Sequence, residues 1–264
     1  MAGDTRVTPT LRHRLRTLTL RLVTGSPVEP WLRRTHSRLG RSQGARYDRE
    51  TAAVMRRVLT PTSNCADIGS YRGSILREMV ALAPHGRHFA FEPVPGNYRY
   101  LATQFPTVHV FNVALADHEG EAVFQHVVGR PARSGLRRVT YPDPHQEIDE
   151  IRVNVDTLDR IMPADVKLDF FKIDVEGAEL QVLRGATDVI RRSQPMVMFE
   201  CGSERAAAYG VQPEHLYDSL SEDLGLRVSL MRRWLDGGGS LSRQEFCDLL
   251  YAKAEFCFLA YARA

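Results

Sequence analysis

From residue 64 onward, apolar runs of strand length alternate with segments of helical periodicity, and the links between them are short. That alternation constrains the fold more than any other feature. Successive β and α units build a mostly parallel sheet with helices on both faces. Residues 64–69 form a strand that ends in a glycine turn and leads into a helix over 74–83. Residues 87–92 are a second strand, followed by a helix through Asn97 to residue 104. Residues 108–115 read as a third strand, and 121–128 as a strand or hairpin arm. Residues 129–150, rich in Gly, Pro, Asp and Arg, read as a long surface loop. A short strand and a helical turn occupy 151–162. Residues 168–174 are continuously apolar apart from their charged members, as expected of a strand covered on both faces. One helix over 178–192, a buried strand over 195–200 and a helix after Pro213 follow. Two last strands, 227–234 and 255–262, flank a Gly-rich turn and a helix at 242–252. The expected architecture is a Rossmann-like α/β domain with a seven-stranded, mostly parallel sheet.

Charge divides the chain of 264 residues in two. Residues 1–46 hold ten arginines against Asp4 and Glu29, while the remainder is mildly acidic, so the overall +3 conceals a strongly basic arm. Within that arm Leu11, Leu15, Leu18 and Leu22 fall on one helical stripe, with most arginines off it. Docking on the protein's own body or on a second copy explains such a stripe, and so does peripheral contact of residues 10–24 with an anionic membrane. The expected division is therefore a basic arm with an amphipathic helix over 1–46 and a catalytic domain over 47–264. No apolar run reaches the roughly 18 residues of a membrane span. Cys65, Cys201, Cys247 and Cys257 form no CxxC pair, and no Cys/His cluster has zinc spacing. They read as small buried apolar side chains in a reducing compartment, and the expected location is the cytoplasm.

Three motifs lie where ligands bind in open α/β sheets, outside the carboxyl ends of the strands. In DIGSYRGS, Asp67–Ser74, Gly69 and Gly73 permit a tight turn before a helix whose N-terminal N–H groups suit a carboxylate or a phosphate. Asp67 suits a ligand ammonium. Glu92, with Pro93 after it, ends the next strand 19 residues beyond Gly73, the place and spacing of a carboxylate that binds ribose hydroxyls. These two features admit NAD, FAD or S-adenosylmethionine. Only GxxxG is present, and a pyrophosphate wants the missing middle glycine, which points away from a dinucleotide. In KIDVEGAE, Lys172–Glu179, Asp174 ends the central strand, Glu176 and Gly177 form the turn, and Glu179 enters the next helix.

DIGSYRG, FEP, NVAL at 112–115, VDTLD at 155–159, KIDVEGAE with LRGA, and PMVMFE occur in that order. Together they resemble the FkbM family of S-adenosylmethionine-dependent methyltransferases over about residues 64–202. The resemblance implies a class I methyltransferase fold and O-methylation of sugar or polyketide hydroxyls. It implies that Asp67, Gly69, Ser70, Tyr71 and Gly73 line the methionine end of the cofactor. Glu92 and Pro93 then meet the ribose, and Asn112, Val113 and Ala114 flank the adenine. Ser70-Tyr71 stands where members often have Ala-Asn.

Methyl transfer from a sulfonium needs in-line positioning above all, with a base to remove the hydroxyl proton. The candidates are Asp174, then Glu176, then His126 beside the long loop. Mg²⁺ on the two carboxylates is the less favoured alternative, and no metal ligand is assigned. The expected acceptor is a small molecule or glycan. An RNA-directed methyltransferase or RNA-binding module using the basic arm is the competing reading, although only Trp31 and Tyr47 offer stacking there.

Overall fold

The computed structural model describes residues 43–130, 133–139 and 146–262. The amphipathic stripe at 10–24 lies outside the described residues. Among the described residues the first helix, α1, spans Gln43–Val58. Then follow β1 (Cys65–Ile68), α2 (Ser74–Leu82), β2 (His88–Phe91), α3 (Pro95–Gln104) and β3 (His109–Phe111). Next come β4 (Ala114–Leu115), β5 (Gly120–Val127), β6 (Ile148–Asp156), α4 (Leu158–Ile161) and β7 (Phe170–Ile173). The chain continues with α5 (Glu179–Arg184), α6 (Thr187–Ser193), β8 (Met196–Glu200), α7 (Ser203–Ala207) and α8 (Pro213–Asp218). It closes with β9 (Leu226–Ser229), α9 (Met231–Leu235), α10 (Arg243–Tyr251) and β10 (Cys257–Ala262).

Seven strands form one sheet in the order β3-β2-β1-β7-β8-β10-β9. Only β10 runs against its neighbours. The order reverses between β1 and β7, so the crevice for a ligand opens at their carboxyl ends. The three central strands are buried on both faces. Ala66, Ile68, Phe171, Ile173, Val197 and Phe199 feed one core, while Cys65, Phe170, Met196 and Met198 feed the other. That split is the period-2 alternation of a strand between two helix layers. This is the mostly parallel α/β sheet that the β/α alternation implied. All four cysteines are free and buried, and no helix among the described residues is long and apolar enough to cross a membrane.

Four elements differ from the sequence reading. The third strand breaks at Asn112, and its end becomes β4 in a separate three-stranded sheet, β4-β6-β5. The 178–192 helix is two helices. Gly185 passes so close to Ala116 that a Cβ would lie 1.9 Å from its carbonyl oxygen, and Asp159 caps α6 by accepting from the Asp188 and Val189 N–H groups. Residues 231–234 continue as α9 rather than strand, since β9 has already completed its pairing at Ser229. The 129–150 segment is not all surface loop. Gly135 bridges Gln125, Ser134 and Gly135 are buried, and β6 begins at Ile148.

Candidate active site

Two turns make the carboxyl edge. After β1, the Gly69 and Ser70 N–H groups donate to the Phe91 carbonyl at 3.0 and 3.2 Å, and Asp174 N–H donates to the Ile68 carbonyl at 3.0 Å. The ends of β1, β2 and β7 are thereby knitted together. Gly69 has φ +78°, and a Cβ there would lie 1.9 Å from the Asp174 carbonyl oxygen. Glycine is required on both grounds. Ser70 closes the turn by donating its hydroxyl to the Asp67 carbonyl at 2.6 Å. Gly73, at φ +70°, precedes α2, whose N-terminus has no side-chain cap. A Cβ on Gly73 would meet Leu101 and Phe105, so this glycine serves the packing of α3 against the turn.

Among the described residues, four that are not glycine have positive φ: Tyr71, Glu176, Gln194 and Lys253. Gln194 and Lys253 follow helices α6 and α10, where the left-handed conformation is an ordinary ending. Tyr71 and Glu176 sit in the two turns of the carboxyl edge. A left-handed non-glycine residue costs about 1–2 kcal/mol. The strain therefore falls in the two turns at the carboxyl edge, the side of the sheet on which open α/β folds bind ligands.

Glu92 is buried just beyond β2. Its carboxylate accepts from Tyr71 N–H at 2.8 Å, Val94 N–H at 3.0 Å and the Asn97 amide at 3.3 Å. Burial pushes its pKa up to about 7 against the pull of those bonds. Oε1 has two donors and Oε2 one, which leaves Oε2 an open lone pair. Asn112 gives its amide hydrogens to the Glu92 and Pro93 carbonyls at 2.9 and 2.8 Å. It thus braces the acidic turn, while Val113 and Ala114 are buried in the cores beside it. A cavity of about 430 Å³ touches Asn112 and Val113 and is walled by Glu119, Asn154, Asp156 and Arg160, yet it reaches none of Asp67, Gly69, Glu92 or Asp174.

Asp67, Lys172 and Asp174 form a charged group in which the first two are buried and Asp174 is half-buried. In the parallel register Asp67 pairs with Lys172 across β1 and β7. The Lys172 ammonium lies 3.1 Å from Asp174 Oδ2, 3.2 Å from the Gly69 carbonyl and 3.8 Å from Asp67 Oδ1. Burial works against the charge of Lys172, but Asp174, Asp67 and Glu200 outweigh it and hold the ammonium's pKa above its ordinary value. Burial raises Asp67, and Lys172 opposes the rise. Asp67 Oδ1 accepts no hydrogen bond, so it is placed to take one from a ligand ammonium. That orphaned oxygen, the uncapped α2 N-terminus and the open lone pair of Glu92 fit a ligand with an amino acid at one end and a ribose at the other.

Glu176 is paired with Arg205. The turn that carries it is closed by Gly177, where a Cβ would press on the Arg205 carbonyl and the Tyr209 ring. Gly135 packs over Glu176, and Tyr209 accepts from Arg137 N–H at 3.1 Å, so residues 133–139 cover this side of the edge. Glu179 accepts from Gly177 N–H at 3.1 Å and Val175 N–H at 3.4 Å. Burial lifts its pKa to about 7, and it organises the turn. His126 sits on β5 of the smaller sheet, 3.9 Å from Asp149, rather than beside Asp174 or Glu176. The sequence reading assigned nothing to Lys172 or Glu200. A lysine inside a strand buried on both faces was the available signal, because lysine is almost never buried unpaired. No three His, Cys, Asp or Glu side chains among the described residues converge closely enough to hold a metal ion.

Known proteins can now be set beside this geometry. The profile of the methyltransferase FkbM domain matches residues 67–228. A segment of the AMB antimetabolite synthetase AmbE of Pseudomonas aeruginosa PAO1 is 26% identical over 212 residues, covering 66% of this chain and 10% of the synthetase. The crystal structure of an FkbM methyltransferase from Methylobacillus flagellatus superposes with a TM-score of 0.47 at 16% identity, over 77% of this chain and 44% of that one. A TehB-like methyltransferase from Corynebacterium glutamicum gives 0.44 at 11% identity, over 81% of this chain and 88% of that one. The chain thus spans about a tenth of the synthetase and less than half of the FkbM structure. The profile match takes in the β1 turn, Glu92 and the Asp174 turn, and with more than half of its length covered the chain belongs to the FkbM family of methyltransferases.

Proposed function

We propose that the chain is an S-adenosylmethionine-dependent O-methyltransferase acting on a hydroxyl of a sugar, glycolipid or polyketide-type natural product. The observation that carries this reading is the run of acidic residues along one edge, Asp67, Glu92 and Asp174, around the Gly69 turn. Asp67 Oδ1 suits the cofactor's ammonium, the α2 N-terminus its carboxylate, and Glu92 its ribose. When bound, the cofactor supplies an activated methyl group on a sulfonium. The protein's contribution is to hold the acceptor oxygen in line with that methyl and to exclude water from it. Asp174, fixed by Lys172, orients the acceptor at the edge, under the cover of residues 133–139. The likeness to a segment of an antimetabolite synthetase supports a natural-product setting.

Calorimetric titration with S-adenosylhomocysteine tests the reading. Wild type is expected to bind, and Glu92→Ala to bind about 10- to 100-fold more weakly, the worth of hydrogen bonds to a charged group. A folded wild type that takes up no S-adenosylhomocysteine overturns it. Transfer from S-adenosylmethionine to a panel of methyl glycosides and polyketide alcohols then addresses the acceptor.

The buried Glu92 also gives this binding a pH signature. Ribose hydroxyls donate to the ionised carboxylate, so the ligand favours the charged form and must displace a proton below about pH 7. Affinity is expected to fall about tenfold between pH 8 and pH 6, and Glu92→Gln to flatten that dependence. The stability linkage runs the other way. The raised pKa favours the fold at acidic pH, and that contribution is lost as pH rises through about 7. Equal slopes for wild type and Glu92→Gln would remove Glu92 from the ribose site.

A further inference from the structure

Asp174 is not the only carboxylate at the end of a central strand. β7 and β8 run parallel with Lys172 opposite Met198 and Ile173 opposite Phe199. Extending that register by one residue sets Asp174 beside Glu200. Both belong to the same face as Lys172, since side chains two apart share a face. Glu200 is half-buried and its carboxylate accepts no hydrogen bond from the described residues. Asp174, in contrast, is committed to the Lys172 ammonium, and Glu176 to Arg205. A carboxylate with no donor of its own, next to one that is clamped, is the better placed to accept a proton.

We propose that Glu200 is the residue that takes the acceptor's hydroxyl proton during methyl transfer, while Asp174 positions the acceptor. The inference rests on the reading of the site as an S-adenosylmethionine pocket. The balance is simple. The acceptor oxygen forms its bond to the methyl carbon, the sulfur keeps the electron pair of the bond that breaks, and the proton passes to Glu200 and from there to water. One positive charge disappears at sulfur as the product forms, and one negative charge disappears at Glu200, so the net charge of the buried edge is conserved.

The groups facing Glu200 bear on its proton. Asp174 and Lys172 come from β7, Glu179 from α5, Asp48 from α1, Cys257 from β10 and Cys201 from the residue after β8. Burial raises its pKa above the ordinary carboxylate range, Asp174 adds to the rise and Lys172 opposes it. Before the sulfonium arrives, burial and Asp174 therefore favour the protonated carboxyl of Glu200. A positive charge brought to the same edge favours the ionised form and readies Glu200 as a base.

The test compares two ligands, so it needs no acceptor. Calorimetry at pH 7 in buffers of different ionisation enthalpy counts the protons released when S-adenosylmethionine binds and when S-adenosylhomocysteine binds. Glu92 meets the same ribose in both, so its contribution cancels in the difference. Wild type is expected to release roughly half to one proton more with S-adenosylmethionine, and Glu200→Gln to lose that excess while still binding S-adenosylhomocysteine. Glu179→Gln, at a carboxylate already held by two backbone N–H groups, is expected to keep the excess. A merely structural glutamate would change melting temperature but not the proton difference between the two ligands. An excess that persists in Glu200→Gln, or no excess in wild type although both ligands bind, overturns the proposal and leaves the methyltransferase reading standing. Failure of both ligands to bind folded wild type overturns that reading, and this proposal with it.

Discussion

Lys172→Met is expected to lower the unfolding free energy by about 3–5 kcal/mol, the usual result of removing one partner from a buried charged group. Lys172 lies in the middle strand of the sheet, and its ammonium is the only cation recorded beside Asp67 and Asp174 among the described residues. Asp67 is 1% exposed on its side chain. Without the ammonium it is left either ionised and uncompensated or protonated at neutral pH, and both alternatives work against the fold. The loss should be smaller in acid and grow as pH rises, because a protonated Asp67 needs no counter-charge. Adding Asp67→Asn should recover part of it, since the fully buried carboxylate no longer needs a counter-charge, while Asp174 and the Gly69 carbonyl still lack the ammonium. Lys172→Arg should not rescue, because a planar guanidinium cannot reproduce a point charge between Gly69, Asp67 and Asp174. Urea denaturation at pH 5.5 and pH 8 reads all of these. A Lys172→Met protein within about 1 kcal/mol of wild type would mean that the charges on this edge are already hydrated.

The same strand shows what was legible in the sequence and what was not. Asp67, Glu92 and Asp174 were readable because each lies at or next to the end of an apolar run that leads into a turn, and parallel strands gather such residues at one edge whatever the details of packing. The mostly parallel sheet followed from β/α alternation for the same reason. Contacts between segments distant in sequence were not readable. Asn112 looks like a mid-strand residue, yet its amide is drawn to the Glu92 and Pro93 carbonyls, and the strand changes sheets there. Gly185 looks like a tolerated glycine within one helix, yet the approach of Ala116 makes it a break. Gly135 belongs to a polar, Gly/Pro-rich segment, and only the fold shows it lying over Glu176. The commitment of Glu176 to Arg205 and of His126 to the smaller sheet depends on the same long-range placement. Lys172 and Glu200 are different. Both carried a local signal, a charge within or at the end of a buried strand, which gains meaning only once the parallel register brings their neighbours into place.

Gly69→Ala should cause the largest loss of cofactor binding of any single methyl group added to the chain. The new Cβ would lie 1.9 Å from the Asp174 carbonyl oxygen and 2.9 Å from its carbon, both backbone atoms of the adjacent strand end. No rotamer relieves such an overlap, so the turn after β1 must move away from β7. The left-handed conformation at φ +78° adds its own penalty for alanine. Together these should reduce stability by about 3–5 kcal/mol. Movement of this turn also displaces the Gly69 carbonyl from Lys172 and shifts the Tyr71 N–H away from Glu92. The amino-acid and ribose ends of the proposed pocket are therefore expected to be lost together. Gly86→Ala separates this effect from instability alone. Its Cβ would lie 1.8 Å from the Ser63 carbonyl oxygen, an equal overlap, but in the turn before β2 at the amino edge of the sheet. Both variants should melt early. At a temperature where each is still folded, Gly86→Ala should bind S-adenosylhomocysteine like wild type, and Gly69→Ala at least about 100-fold more weakly. If Gly69→Ala binds within roughly threefold of wild type, the cofactor does not rest on the β1 turn, and the pocket has to be sought elsewhere along the carboxyl edge.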